Sequence, residues 1–224
     1  NIFFEDPFGI YTPISSENLK TSLSIYDSLL TSPITSPIIA EAYFRLGEIQ
    51  YKILQDFDQA YYLLNKAFNS KPKKVLKSKI ILRIADVLLA TGQKEEAMSF
   101  LKEEMKKNPS SDIILKNLLV QFLTNDPGLT LKMVDSSFFE LNPTEPSFND
   151  LMELKTFLTK YYGNSDIEKS AFTYFQKSEF YLRQKKLGNA IEELDYLINN
   201  FPDAKIVPLV KLRLGILHYR LKNY

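Results

Sequence analysis

The sequence has no cysteine, no tryptophan, one histidine and only seven glycines in 224 residues. Without cysteine there are no disulfides, thiolate metal sites or cysteine nucleophiles, although a thiol-free chain suits either redox compartment. A single histidine, His218, leaves no material for a two-histidine metal site and argues against a serine–histidine arrangement. An excess of one charge is also missing: 28 Lys plus Arg against 27 Asp plus Glu give a formal net charge of +1. Chains that live on phosphates usually carry a basic excess, so nucleic acid is not the expected partner. No apolar run approaches the roughly 18 to 20 residues that span a bilayer. Glycine-rich phosphate loops, HExxH, nucleophile-elbow and Walker patterns are absent as well. The expectation is a non-enzymatic protein with no catalytic residue, metal or cofactor.

What is present is helical periodicity. Apolar residues recur at spacings of three and four, the mark of amphipathic helices, and no convincing strand alternation interrupts them. Helices are expected at about 15–31, 37–54, 57–70, 75–91, 94–107, 112–124, 128–139, 147–162, 166–186, 188–200 and 206–221. Breakers separate them, among them Lys71-Pro72, Thr91-Gly92, Asn108-Pro109, Asp126-Pro127-Gly128, Asn142-Pro143 and Phe201-Pro202-Asp203. Connections this short suit antiparallel helix neighbours.

A period runs through the pattern. Pro109 and Pro143 lie 34 residues apart, each after an Asn that ends an expected helix. The interior lines up too: Ile81, Ile84, Ala85, Leu88, Gly92, Ala97, Leu101 and Pro109 in one repeat, Tyr174, Ser178, Tyr181, Ala190, Leu194, Leu197 and Pro202 in another. Tyr43, Leu46, Gly47, Tyr51, Ala60, Leu64, Ala67 and Pro72 follow the same order, with one extra residue between Gly47 and Tyr51. That insertion predicts a bulge in the first helix of its repeat. Glu104 stands where an alanine is expected. A weaker repeat, with Leu115, Leu118, Leu119, Phe122, Leu131 and Phe138, lacks small residues, so its two helices should sit farther apart.

This pattern resembles the tetratricopeptide repeat family over roughly residues 15 to 221. The resemblance implies an all-α fold, a right-handed α-solenoid of antiparallel helix pairs. Small residues such as Gly47 and Ala60 would let the helices of a pair approach, and no pair would bury its apolar face alone. The organisation expected is an N-terminal arm at 1–14, repeats at 15–143, an atypical spacer helix within 144–165 and further repeats at 166–224. Any domain break is expected at the spacer, whose Phe148, Leu151, Leu154, Leu158 and Tyr161 match no repeat position. The chain opens on Asn1 without an initiator Met, and Leu214-Gly215 restarts the pattern close to the end. The expectation is an excerpt from a longer protein.

By the same resemblance, the chain binds a peptide or partner helix on a concave face lined by first-helix positions 2, 5, 9 and 12. Those positions hold Glu41, Phe44 and Glu48, then Lys79, Leu82, Asp86 and Leu89, then Phe172, Phe175, Glu179 and Leu182. Lys79 and Arg83 also match the last part of the carboxylate clamp of chaperone-binding members. Phe44 and Glu48 stand where that clamp carries Lys and Asn. The partner-binding candidates are thus Phe44, Glu48, Lys79, Arg83, Asp86, Phe172, Phe175 and Glu179. The turn Phe201-Pro202-Asp203-Ala204, followed by Leu214-Gly215, resembles bacterial members that act as scaffolds in cell-envelope assembly, which leans the localisation to the periplasm. A regulatory or targeting region of a larger enzyme is the alternative.

Other groups read more plainly. His218 falls on a packing position shared with Tyr51, Leu88 and Tyr181. Glu95-Glu96, Glu103-Glu104 and Glu192-Glu193 lie among lysines and read as solvated helix faces. The basic run Lys71-Pro72-Lys73-Lys74-Val75-Leu76-Lys77-Ser78-Lys79 reads as an inter-repeat loop entering a helix, or as a patch for an acidic partner or RNA. The aromatic arm Ile2-Phe3-Phe4 to Tyr11 is expected to pack over the first helix and cap the stack, or else to be a partner-facing or membrane-proximal segment.

Overall fold

The computed structural model describes residues 16–31, 36–163 and 165–221, and only the backbone of Ser16, Ser36, Pro37 and Arg220. The expectations for the arm lie outside the described residues. Within them the chain is all-α: α1 (Ser16–Thr31), α2 (Ser36–Ile49), α3 (Phe57–Asn69), α4 (Lys74–Ala90), α5 (Lys94–Lys107), α6 (Ser111–Thr124), α7 (Pro127–Ser137), α8 (Pro146–Tyr161), α9 (Asp166–Arg183), α10 (Leu187–Asn200) and α11 (Val207–Arg220). Every helix expected from the periodicity is present.

Local chemistry explains the boundaries. Asp56, Asp126 and Ser165 accept backbone N–H bonds from Gln59, Leu129 and Glu168, capping α3, α7 and α9. Pro127, Pro146 and Pro208 sit in first turns, where a missing N–H costs nothing. α4 ends in a Schellman turn. Gly92, at φ 83°, donates to Leu89 O and Gln93 donates to Leu88 O, at 3.1 and 2.8 Å. α9 closes with the same two bonds at Lys185 and Lys186, although Lys185 must hold φ 61°. In the first repeat Gln55 occupies the equivalent place at φ 55°. These three residues share one repeat position, and only Gly92 announces it in sequence.

The extra residue in that first repeat appears as a π-helical turn over Gln50–Leu54, continuing α2. Widening the helix by one residue per turn absorbs the insertion before Gln55 reverses the chain.

The described residues fall into two compact units that divide between Lys116 and Asn117, inside α6. That division lies upstream of the stretch 144–165, where the sequence suggested a break.

In the N-terminal unit α2 packs on α3, α3 on α4 and α4 on α5, with α1 against α2. Ala40, Ala60, Leu64, Ala67, Ile81, Ile84, Ala85, Ala97 and Leu101 form its interior. Gly47 sits at the tightest approach, where an added Cβ would lie 2.8 Å from Leu64 Cγ and 3.5 Å from Ala60 O. Glycine here serves proximity, as its repeat position predicts. Glu104 corrects the sequence reading. It is not on a solvated face but 4% exposed, taking the place of the expected alanine. Asn108 Nδ2 donates to Glu104 Oε2 at 2.8 Å and Lys77 Nζ stands at 3.9 Å, so the buried carboxylate is partnered.

In the C-terminal unit α9 pairs with α10 and α10 packs on α11. In the weak repeat α7 lies against α8, with Phe138 and Phe148 edge to face at 5.4 Å. Phe157 of α8 contacts Phe122 of α6 at 6.2 Å and Phe172 and Phe175 of α9 at 5.7 and 5.6 Å. Gln176 donates to the end of α6, to Asn125 O at 2.6 Å and also to Phe122 O, joining α9 to that helix.

Candidate partner-binding surface

The expected surface residues belong to first helices, and most prove to be engaged within the protein. Phe44 is 4% exposed, Phe172 0% and Phe175 3%, so these rings are packing residues and cannot line an open groove. For the second pair, Phe157 of α8 packs on both rings, and Phe122 of α6 and Tyr162 also pack on Phe172. Alanine at any of the three would report on folding rather than on binding.

The charged members form connections between repeats. Arg83 of α4 donates through Nε and Nη2 to Glu48 Oε1 of α2, at 2.8 and 2.7 Å, and through Nη1 to Asp86 Oδ2 at 3.0 Å. Asp86 in turn accepts from Lys116 of α6 at 2.7 Å. Lys52 reaches Glu48 from the π-helical turn at 3.1 Å, and the Arg83 guanidinium lies 5.0 Å over the Tyr51 ring. The result is a ladder of alternating charge across α2, α4 and α6. In the C-terminal unit Glu179 of α9 is met by Arg213 of α11, with Nε and Nη2 both on Oε1 at 2.9 and 2.8 Å and Nη2 also 2.9 Å from Oε2. Both side chains are buried.

Electrostatics follow from that geometry. Burial works against charge on Arg83, but the Asp86 and Glu48 carboxylates outweigh it and hold the guanidinium above its ordinary value. Burial likewise opposes the Glu48 anion, yet Arg83 and Lys52 keep its carboxyl below the usual 4.5. These are locked ion pairs. Arg83 is therefore unavailable as a carboxylate clamp, because all its bonded nitrogens face Glu48 and Asp86. Among the expected residues Lys79 alone is exposed.

One rule unites the pairs. Glu48, Asp86 and Glu179 share position 9 of their repeats, and each meets a cation on the next first helix: Arg83, Lys116 or Arg213. The sequence reading missed Lys116 and Arg213 because it took position 9 as facing a partner. An acid at position 9 with a cation some 30 to 35 residues later is the signal that would have found them.

The geometry described here is that of helix pairs connected first helix to first helix. Residues 41–73, from α2 to the turn before α4, match the family model for the tetratricopeptide repeat. This segment is a tetratricopeptide repeat. The tetratricopeptide repeat is a protein–protein interaction module, typically without catalytic activity, so protein partners are the expected class. Comparison with curated proteins and with solved structures gives no match. No described helix is long and apolar enough to cross a membrane.

Proposed function

We propose that this chain is a scaffold or adaptor that holds a peptide or partner helix against the first helices of its tetratricopeptide-like repeats. The observation that carries the reading is the position-9 ion ladder. Because Glu48, Arg83, Asp86 and Lys116 already connect successive first helices, the surface beside them is ordered before a partner arrives. A preformed receptor loses little conformational freedom on binding. Exposed side chains on those helices, Arg45 and Lys79 together with half-buried Glu41 and Leu82, supply the contacting groups in place of the packed phenylalanines. Assembly of the cell envelope, the setting of the bacterial members it resembles, is part of this reading.

The test is capture of a partner from the native host with the full chain, followed by hydrogen exchange on the purified pair. New protection on α2 and α4 is expected. Protection confined to α3 and α5, or no partner above the control, would sink the proposal.

A further inference from the structure

Apolar depressions on the described surface include two that bear on binding. One runs along α8 and is lined by that helix alone, including Met152, Phe157 and Tyr161, so it is a helix face without opposing walls. The other, about 350 Å³, lies inside the N-terminal unit where α1, α2 and the start of α4 converge. Tyr26 and Leu29 come from α1, Ile38 and Ala42 from α2 and Leu76 from α4, with Lys73 at the edge. Glu41 is the single carboxylate in the lining, and Arg45 already donates to it at 2.7 Å.

Lysines gather at one edge of this groove: Lys73 lines it, and Lys71 and Lys74 are its neighbours along the chain. Lys71, Lys73 and Lys74 are all exposed, and none makes an ion pair among the described residues. The neighbouring Lys77 is occupied over the Phe68 ring at 5.1 Å. No acid in the first turn of α4 compensates the lysines. A cluster of cations beside an α-helix N-terminus is electrostatically unfavourable, and it gains a reason if a carboxylate arrives.

We propose that this groove docks a partner peptide whose bulky apolar side chain enters between α1 and α2 while flanking carboxylates pair with Lys71, Lys73 and Lys74. The inference rests on the protein-binding reading above and deepens it by naming the ligand class. Burial of the apolar anchor provides affinity, and the rim lysines provide selection and speed of encounter, weakening as salt rises. An oligonucleotide fits less well, because the walls offer aliphatic side chains and one ring where bases need stacking partners.

The experiment selects a displayed random nonapeptide library on the whole chain and measures the enriched peptide, synthesised and labelled, by fluorescence anisotropy. The expected winners combine Leu, Phe or Tyr with at least two Asp or Glu. Their affinity should fall about tenfold or more with Lys73→Glu plus Lys74→Glu, a change confined to exposed side chains. Ile38→Lys, at a half-exposed wall position, should weaken binding similarly, with circular dichroism confirming an unchanged fold. Enrichment of neutral or basic peptides, no enrichment, or indifference to both variants would overturn the proposal. If peptides bind but respond instead to Lys79→Glu, the groove assignment fails while the protein-binding reading survives.

Two rivals are distinguished by the same proteins. Phe139, 94% exposed beside Glu140, carries the right chemistry for a second copy of the chain. Concentration-dependent association in sedimentation, lost on both Phe139→Ser and Lys73→Glu plus Lys74→Glu, would give the groove to that copy and overturn the partner proposal. The segment Phe3-Phe4-Glu5-Asp6 is the other rival. Tighter peptide binding in a Phe3→Ser, Phe4→Ser variant would assign the groove to it instead.

Discussion

Gly47 is where one hydrogen atom decides how closely two helices meet. A methyl group there would press on Leu64, which is fully buried and cannot retreat. Overpacking costs about 1 to 3 kcal/mol, and the helix propensity gained by alanine returns about 1. Gly47→Ala should therefore lower stability by about 1 kcal/mol in a denaturant melt, and Leu64→Val in the same chain should recover part of the loss. Lys185 presents the reverse case. Its left-handed backbone is strained for any residue that carries a Cβ, and Gly92 shows what the same turn accepts freely. Lys185→Gly should raise stability by about 0.5 to 1 kcal/mol, read as a higher melting temperature. Glu48 connects residue chemistry to pH. Its folded carboxyl titrates below 4.5, so its contribution is complete above that value and fades as pH falls through the depressed one. Glu48→Gln should thus be about 1 kcal/mol less stable than wild type near neutrality, and the gap should narrow as the pH falls below 4.5 through the depressed value.

At the scale of the element, α8 is the informative piece. Its apolar residues match no repeat position, and the sequence could describe it only as atypical. In the fold it lies beside α7 and sends Phe157 between α6 and α9, onto the rings of Phe122, Phe172 and Phe175. Phe157 thus helps to bury Phe172 and Phe175, together with Phe122 of α6 and Tyr162, which also pack on the Phe172 ring. Phe157→Ala should cost about 3 kcal/mol and speed amide exchange in α8 and α9, leaving α2 to α5 protected. Exchange that rose equally everywhere would contradict that local role. The π-helical turn shows the opposite balance between sequence and structure. One surplus residue between Gly47 and Tyr51 was enough to place it, because a fixed repeat length leaves an insertion nowhere to go except into a widened turn.

Across the molecule, stability is the sum of neighbour interactions, as in any repeat stack. The ion pairs join adjacent first helices within a unit, and they differ in burial. Arg213 and Glu179 are the buried extreme. Arg213→Met would leave the Glu179 carboxylate without its cation and should cost about 3 kcal/mol, whereas Glu179→Leu with Arg213→Met should cost much less, since the desolvation of both charges is then relieved. The loss should appear first as faster exchange in α9 to α11, ahead of α2 to α5, and unfolding should depart from a single two-state transition.

Helix identity, helix boundaries and repeat register were legible in the amino-acid order, because each rests on contacts within a few residues along the chain. Apolar spacing, prolines in first turns, capping Asp and Ser, and the small residues Gly47 and Ala60 all act at that range. The left-handed turns at Gln55 and Lys185 were not legible, since neither residue type signals the conformation its repeat position imposes. The candidate residues do lie on α2, α4 and α9, but the direction of their side chains was not legible. Whether an acid at position 9 faces solvent or the neighbouring helix depends on a cation about 30 residues away. Whether a phenylalanine at position 5 is open depends on what lies across it, and for Phe175 that is α8. What the sequence determined by itself is therefore a set of repeated helix pairs. Tertiary structure decided which of their faces remain free, because only packing brings distant charges within 3 Å and lays one helix over another's rings.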